Sequence, residues 1–223
     1  MAVLDPESTA FERSGIYRVA TTTGSLKWRQ QWVPYGQISD HLKSAVIASE
    51  DATFVEHEGV DIEALEKAWD RNARAEQRNQ QAVNKLPARK LAPSQQTVKP
   101  PKVVGGSTIT QQLAKNLFLS GERTLLRKGQ ELLLTLALEA LLSKERILEI
   151  YLNNVEWGEG VYGAEAASQH YYRKAASRLT AHEAARLAVM LPRPKYFETR
   201  PNSAYLSSRA STIVARMGAV VIP

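Results

Sequence analysis

The chain contains no cysteine, so it has no disulfide framework, no thiolate metal ligand and no cysteine nucleophile. It also has no uninterrupted apolar run of the ~18 to 20 residues that a membrane-spanning helix needs. The nearest candidate, residues 132–142, is interrupted by Thr135 and Glu139, which predicts a buried helix of a globular protein. The N-terminal residues also lack the basic, then apolar, then small-residue order of a secretory signal. We therefore expect either a cytoplasmic protein or a chain that lacks its membrane anchor.

Several sequence motifs of enzymes are absent as well. The chain has no Ser-x-x-Lys, no Lys-Thr-Gly and no P-loop, which excludes penicillin-binding transpeptidase chemistry and P-loop phosphate binding. The four histidines show no spacing typical of metal ligands; they are His41, His57, His170 and His182. We therefore predict no metal site built from protein ligands.

The composition is that of a helical globular protein, with 43% hydrophobic and 23% charged residues in a chain of 223. The net charge of +6 is unevenly distributed, because residues 71–128 hold twelve Lys or Arg against two acids. Such a basic region suits a polyanion, an anionic membrane surface or a phosphorylated substrate. A merely solvated loop explains its first part, residues 71–102, equally well.

Apolar residues recur at helical spacing over most of the chain. Residues 16–38 are the exception at the start, where β-branched residues, glycine and proline favour short strands and turns. Residues 77–104 lose all periodicity and contain four prolines, which predicts a mobile segment. Predicted helices cover residues 38–54, a segment from 60 or 61, 108–119, 124–142, 144–152, 181–191 and a last segment from 202. Predicted caps are Ser107 or Thr108, Ser143, and Thr180 with Glu183.

Glu50 lies near the C-terminal end of the first of these helices, and Phe54 and His57 follow it four and seven residues later. If the helix continues, the three side chains share one face. An aromatic ring beside a carboxylate excludes water, which raises the carboxyl pKa and suits general acid or base catalysis near neutral pH. A glutamate at a helix end is more often a solvated charge, so the spacing alone leaves both interpretations open.

The segment GGSTITQQLAKN combines two glycines with hydroxyl and amide side chains at a predicted helix start. Such groups, together with the free N-H groups of a helix N-terminus, bind anions or sugar oxygens. Lys115 follows within the same helix. An ordinary capped helix explains the segment equally well.

Arg123, Arg127 and Glu131 repeat at intervals of four, with Lys128 beside them. They can form a surface ladder of ion pairs, each contributing ~0.3 to 0.5 kcal/mol. Because the rest of this helix is apolar, the charges are better explained by a cationic cleft with one embedded acid.

Five sequence blocks resemble, in order, those of the peptidoglycan glycosyltransferase family, and most closely its monofunctional members, the single-domain biosynthetic transglycosylases. The blocks are Glu50-Asp51-x-x-Phe54-x-x-His57-x-Gly59; Gly106-Ser107-Thr108-Ile109-Thr110-Gln111-Gln112-x-x-Lys115-Asn116; Arg127-Lys128-x-x-Glu131; Ile147-Leu148-Glu149-x-Tyr151-Leu152-Asn153; and Ala185-x-Leu187-Ala188 followed by Leu191-Pro192. The second block alone is highly specific, and the five together span most of the chain.

The resemblance implies that Glu50 is the catalytic base, which removes the proton from the 4-hydroxyl of the acceptor GlcNAc on lipid II. That oxygen attacks C1 of the donor MurNAc, the anomeric centre inverts and polyprenyl pyrophosphate leaves. Lys115 and Arg123 match the positions that meet the pyrophosphate, with Arg127 and Lys128 as weaker candidates. Glu131 matches the second carboxylate, on the donor side.

The remaining family positions fall into two groups. Implied substrate contacts are Ser107, Thr108, Gln111, Gln112, Asn116, Phe54 and His57. Positions that match the motifs for structural reasons are Asp51, Gly59, Gly106, Glu149, Tyr151 and Asn153. No organic cofactor is expected, and a divalent cation, Mg²⁺ or Mn²⁺, is a candidate companion of the substrate pyrophosphate.

For the fold, the resemblance implies a mainly α, lysozyme-like helical head with a smaller, flexible jaw lobe. Residues 1–37 would be an N-terminal extension after a removed membrane anchor, and residues 38–223 the glycosyltransferase domain, with 72–105 as the mobile jaw segment. The stretch from Gly59 to Gly105 is long for a monofunctional member. The expected location is the plasma (inner) membrane, with a single-pass anchor and the catalytic domain on its outer or periplasmic face. Expected partners are lipid II, the growing glycan chain, the membrane surface and cell-wall synthesis proteins, but no nucleic acid.

Two other functions compete with this interpretation. A lysozyme-like hydrolase or lytic transglycosylase cuts the same glycan with one acid, but its substrate has no pyrophosphate and gives no role to Lys115 or Arg123. A non-enzymatic wall-binding or polyanion-binding module would need only the basic segment. It leaves the Glu50 block unexplained.

Overall fold

The computed structural model describes residues 1, 5, 6, 8–23, 28–84, 106–119 and 125–223. They divide into two compact units, one formed by Met1–Val60 with Thr108–Pro223 and the other by Asp61–Ser107. Helices dominate both, which confirms the predicted mainly α fold. No helix within the described ranges combines the length and the apolarity that crossing a bilayer requires.

In chain order the α-helices of the described residues are α1 (Ala10–Thr23), α2 (Asp40–Glu50), α3 (Ile62–Asn84), α4 (Ile109–Phe118), α5 (Leu125–Leu141), α6 (Lys144–Asn154), α7 (Ala164–Tyr172), α8 (Ala181–Met190), α9 (Pro194–Glu198) and α10 (Ala204–Met217). Three short strands form one sheet of order β1-β3-β2; they are β1 (Arg29–Gln30), β2 (Glu156–Gly158) and β3 (Val161–Tyr162). β1 pairs parallel with β3, with Arg29 opposite Val161, and β2 pairs antiparallel with β3.

The starts of three helices follow the predicted capping residues. The side chain of Thr108 accepts from the backbone N-H of Gln111, whose own side chain accepts from the Thr108 N-H, so α4 begins with a capping box. Thr180 and Glu183 form the same arrangement on α8, and Ser143 caps α6. Each such cap stabilises a helix start by ~1 kcal/mol.

The core of the larger unit lies where α2 packs against α8 and α10, and where α4 packs against α5 and α6. The fully buried side chains include Leu42, Ile47, Leu113, Ile147 and Leu148. Burying a side chain of this size contributes roughly 1.5 to 3 kcal/mol relative to exposure, which fixes the helices that carry the site.

The prediction of strands and turns from residue 16 is wrong for residues 16–23, which belong to α1. The helix is started upstream by a reciprocal pair, because the Thr9 N-H donates to Glu12 at 2.8 Å and the Glu12 N-H donates to the Thr9 hydroxyl at 3.0 Å. A helix nucleated there extends through β-branched residues whose intrinsic preference is weak. Among the described residues of that segment, Arg29 and Gln30 alone form a strand.

Two helix ends also differ from prediction. α2 ends at Glu50 and not at Phe54, because Asp51 has a non-helical backbone and its side chain accepts from the backbone N-H of Ile109 at 3.0 Å. α10 begins at Ala204, two residues later than the expected start at Asn202, and Ser203 is its cap.

The second unit contains α3, which reaches Asn84 and therefore includes residues 77–84, where no periodicity was expected. Residues 72–84 of the predicted jaw segment are thus helical, and residues 85–105 lie outside the described part of the chain. Gly106 approaches the backbone of Leu65 within this unit, since a Cβ there would lie 3.3 Å from the Leu65 Cα.

α5 is not buried on all sides, contrary to the prediction for residues 124–142. One face packs inwards through Glu131, Thr135 and Leu138. The opposite face exposes five leucines, and Leu126 and Leu133 are 76% and 70% exposed; the others are Leu132, Leu136 and Leu141. An exposed apolar face of this size on a folded domain indicates an interaction surface.

Candidate active site

Glu50 is the last residue of α2 and is half-buried. The Gln112 side chain on α4 donates from Nε2 to Glu50 Oε2 at 3.1 Å. The Ser49 hydroxyl donates to the other oxygen, Oε1, at 3.2 Å. The carboxylate is therefore oriented by one donor on each oxygen.

The pKa of Glu50 is raised above the ordinary glutamate value, chiefly because burial penalises the charged form. The neighbouring Asp51 charge raises it further, whereas the bonds from Gln112 and Ser49 and the positive charge of Arg209 on α10 lower it. A carboxylate with a raised pKa accepts a proton more readily, as a general base working near neutral pH requires.

Gln112 is itself held from the opposite side by Tyr151 on α6. The Tyr151 hydroxyl donates to Gln112 Oε1 at 2.9 Å, and the tyrosine ring is fully buried. Three helices, α2, α4 and α6, therefore meet in a chain of hydrogen bonds that runs from the phenol through the amide to the carboxylate.

The residues that follow Glu50 form a tightly bonded loop. Asp51 accepts from His57 Nε2 at 2.9 Å, and His57 Nδ1 accepts from the Gly59 N-H at 3.2 Å. With Asp51 Oδ2 engaged by the α4 N-terminus, this carboxylate fixes the loop to that helix. Thr108 donates to the Gly59 carbonyl at 2.6 Å and closes the same connection. His57 is thus engaged at both ring nitrogens by its own loop.

Phe54 is fully buried in the core and does not line an open surface. Lys144 lies over its ring at 4.7 Å and donates to the His57 carbonyl at 2.5 Å and to Glu139 at 2.8 Å. Thr110 donates to the same Glu139 oxygen at 2.5 Å. The substrate contacts predicted for Phe54 and His57 stay predictions, and their observed contacts support the loop behind Glu50.

The outer face of α4 carries the remaining polar residues of the second block. Lys115 and Asn116 follow Gln112 at three and four positions, a spacing that brings side chains together on one helix face. Lys115 is exposed, and Asn116 is half-buried. The helix thus presents a cation one turn beyond the amide that holds Glu50. Thr108 and Gln111, by contrast, are engaged in the capping box.

A second charged cluster lies at the start of α5. Glu131 is buried and accepts from Arg127 Nη1 at 3.3 Å and from the Lys128 ammonium. Lys128 remains 55% exposed, so its charge is held in place and is still open to a ligand. The i, i+4 ion pair between Arg127 and Glu131 is present, with the acid buried beneath the two cations. α5 packs against α4, which carries Lys115.

The fourth block contacts the chain segment that precedes α2. Asn153 donates to the Val33 carbonyl and accepts from the Val33 N-H, while Glu149 accepts from the Tyr35 N-H at 2.9 Å and from Arg146 at 2.6 Å. Together they fix the segment that leads into α2. Tyr151 differs from these two because it contacts the Glu50 cluster directly.

Three predicted residues lie elsewhere. Arg123 falls outside the described residues. Gly106 and the exposed Ser107 belong to the second unit. Conversely, the motif analysis missed Ser49 and Arg209, which act on Glu50. Arg209 is far from Glu50 in the sequence, and only the packing of α10 on α2 brings its charge near.

The chain is similar in sequence to known proteins. The family model described as transglycosylase matches residues 18–83 and 88–218. A protein of Burkholderia thailandensis named biosynthetic peptidoglycan transglycosylase is 53% identical over 222 residues, which cover 100% of this chain and 77% of that protein. One of the same name from Bordetella pertussis is 50% identical over 100% of this chain and 84% of its own length.

Proposed function

The chain belongs to the transglycosylase family and is a peptidoglycan glycosyltransferase, and from this premise we propose that it polymerises lipid II with inversion at MurNAc C1. The observation that carries the proposal is the carboxylate of Glu50. It is partly desolvated, its pKa is raised, and it is oriented by Gln112 and Ser49.

In the proposed reaction, Glu50 removes the proton from the 4-hydroxyl of the acceptor GlcNAc. The freed oxygen forms a bond to C1 of the donor MurNAc while the bond from C1 to the pyrophosphate oxygen breaks. The proton remains on Glu50, and the electron pair of the broken bond leaves on polyprenyl pyrophosphate. Attack from the side opposite the leaving group inverts the anomeric centre.

The leaving group gains negative charge as it departs, and fixed cations stabilise such charge most strongly where water is excluded. Lys115 on the outer face of α4 is the proposed main contact, with Arg127 and Lys128 on α5 beside it. We assign Glu131 to holding the two α5 cations, because its buried carboxylate accepts from both. Arg123 retains its proposed role from the sequence pattern.

A divalent cation, Mg²⁺ or Mn²⁺, is proposed to arrive with the pyrophosphate of the substrate. Glu131 fits the role of a metal ligand poorly, because both its oxygens already accept from cations. Any such ion would therefore be held mainly by phosphate oxygens. Loss of turnover in EDTA that added Mg²⁺ or Mn²⁺ restores would support this role, and unchanged turnover would exclude it.

Peptidoglycan synthesis makes this a cell-envelope enzyme, and we propose that it works on the membrane surface. A lipid-linked donor keeps its polyprenyl chain in the bilayer, so the cations that meet its pyrophosphate must lie near the headgroups. The exposed leucine face of α5 lies on the same helix as Arg127 and Lys128. Apolar side chains beside cations suit the interface of an anionic bilayer.

The test is a polymerisation assay with purified protein and lipid II, in which glycan chains are separated from substrate. The expected results are the formation of long glycan chains and the release of one polyprenyl pyrophosphate for each glycosidic bond formed. The assay is repeated with finished, lipid-free peptidoglycan. Digestion of that material without polymerisation would favour the hydrolase alternative and contradict the proposal.

A further inference from the structure

Gln112 lies between the Glu50 carboxylate and the Tyr151 hydroxyl. Its amide nitrogen donates to the carboxylate, and its amide oxygen accepts from the hydroxyl. Its Nε2 lies 3.1 Å from Glu50 Oε2, and its Oε1 lies 2.9 Å from the Tyr151 hydroxyl oxygen. An ionised carboxylate can only accept hydrogen bonds, whereas the amide oxygen can only accept and the amide nitrogen can only donate. The orientation of the amide therefore decides whether Glu50 meets a donor or a second acceptor.

The Tyr151 hydroxyl favours one of the two orientations of the Gln112 amide. Its ring is fully buried, so its hydroxyl proton needs an acceptor within the protein, and among the described residues Gln112 Oε1 is the acceptor in the observed geometry. Rotating the amide by half a turn would direct Nε2 at the phenol and leave the phenol proton without that acceptor. It would also direct Oε1 at the Glu50 carboxylate. Both changes are unfavourable, because unsatisfied buried polar groups carry the full cost of desolvation.

We propose that Tyr151 is a positioning residue for the reaction: by donating to Gln112 Oε1 it holds the amide in the orientation that directs Nε2 at Glu50. The inference rests on the proposed role of Glu50 as the base. Tyr151 touches neither substrate nor the reacting atoms, and it acts through Gln112.

The phenol is suited to this task at every working pH. Burial, and then the charges of Glu50 and Asp51, raise the pKa of Tyr151 well above its ordinary value, so the hydroxyl keeps its proton and remains a donor. The charged groups that act on Glu50 are Asp51 beside it and Arg209 from α10, and neither changes when the Tyr151 hydroxyl is removed.

Tyr151→Phe removes the hydroxyl and leaves the ring. Without it, Gln112 Oε1 loses its hydrogen-bond donor and only Glu50 still holds the amide, so the bond from Nε2 to the ionised carboxylate weakens and the pKa of Glu50 rises further. The base is then protonated over more of the pH range. We expect kcat/KM to fall roughly two- to tenfold on the acid side of the profile, the effect of one hydrogen bond. The deficit should shrink as the pH rises and Glu50 ionises in both proteins.

The control is Tyr171→Phe, because the Tyr171 hydroxyl also donates within the protein, to the Trp157 carbonyl at 2.8 Å, but lies in another part of the unit. A pH-dependent deficit in Tyr151→Phe that is absent from Tyr171→Phe supports positioning. A deficit that is the same factor at every pH would overturn it, because a purely structural defect lowers the amount of active enzyme equally.

A double-mutant cycle with Gln112→Leu tests whether the effect passes through the amide. If Tyr151 acts only through Gln112, Tyr151→Phe should change the pH profile in the wild-type background and not in the Gln112→Leu background. An equal effect in both backgrounds would refute the relay. Gln112→Leu alone should show the same pH-dependent deficit, which keeps the proposal testable should Tyr151→Phe not fold.

A readout that needs no turnover separates this inference from the proposed function. The carboxyl carbon of Glu50 is followed by NMR during a pH titration of the wild type and Tyr151→Phe. We expect the midpoint to move to higher pH in the variant, and an unchanged midpoint would refute positioning. If the wild type failed to polymerise lipid II, the proposed function would fail, while the titration would still decide the orientation of Gln112.

Discussion

Replacing Glu50 with glutamine is the most informative single change, because activity and stability should move in opposite directions. Glutamine has nearly the same volume; its amide oxygen can still accept from Gln112, and its amide nitrogen can donate to the Ser49 hydroxyl oxygen. It cannot remove a proton. Since a positioned general base contributes typically 10² to 10⁴ in rate, we expect polymerisation of lipid II to fall by at least a hundredfold.

The stability prediction follows from the pKa of Glu50, which lies above the ordinary value of 4.5 in the folded protein. The folded state therefore holds this proton more tightly than the unfolded state. The stabilising contribution of Glu50 is complete below the unfolded pKa and is lost as the pH rises through the folded pKa. Glutamine does not titrate and avoids this loss. Glu50→Gln should thus be more stable than the wild type at neutral pH, with a difference that disappears in acid.

Thermal unfolding followed by circular dichroism measures this difference, and a gain of about 1 kcal/mol would raise Tm by roughly 2 to 4 °C in a chain of this size. Glu183→Gln is the matched control. Desolvation acts to raise the pKa of Glu183, but hydrogen bonds from Lys174 and Thr180 outweigh it and lower the pKa. That variant should therefore lose stability at neutral pH and keep its activity. Retained polymerisation in Glu50→Gln, or a Tm below that of the wild type, would refute the reasoning.

The other predictions concern the cations, the loop and the membrane. Lys115→Ala should slow turnover by about a hundredfold, as loss of one charge-stabilising contact does, and the exposed Lys67→Ala should not; equal rates would remove Lys115 from the leaving-group site. Gly59→Ala should destabilise the fold by about 2 kcal/mol or more in urea unfolding, because Gly59 has φ +84° and its Cβ would lie 2.6 Å from a threonine methyl group. Gly36→Ala, with open space around it, should be nearly neutral, and a similar cost at both positions would contradict the strain argument. Leu133→Asp on the exposed face of α5 should reduce sedimentation with anionic vesicles about tenfold or more and leave turnover in detergent unchanged; undiminished vesicle binding would exclude that face.

Much of the helical framework could be predicted because its signals are local. Capping residues such as Thr108, Ser143 and Thr180 satisfy N-H groups only three positions away, so their identity and spacing are sufficient to locate helix starts. Apolar spacing likewise predicted a buried face on the helix that became α2. Local signals failed where a residue distant in sequence determines the backbone conformation. The end of α2 is an example, because Asp51 accepts a hydrogen bond from the N-H of Ile109 at the start of α4.

Five ordered blocks of the sequence are enough to identify the family and the candidate base, because they single out Glu50 without any knowledge of its surroundings. The groups that surround its carboxylate are fixed by the packing of the helices. Gln112, Tyr151 and Arg209 come from three other helices, and their effects on Glu50 depend on distances of a few ångströms that sequence spacing does not encode. The aromatic ring expected to desolvate Glu50 lies instead in the core, and the burial that raises its pKa arises from the packing of whole helices. The local sequence pattern therefore identifies Glu50 as the reactive residue, and long-range packing sets the pKa and the orientation of its carboxylate.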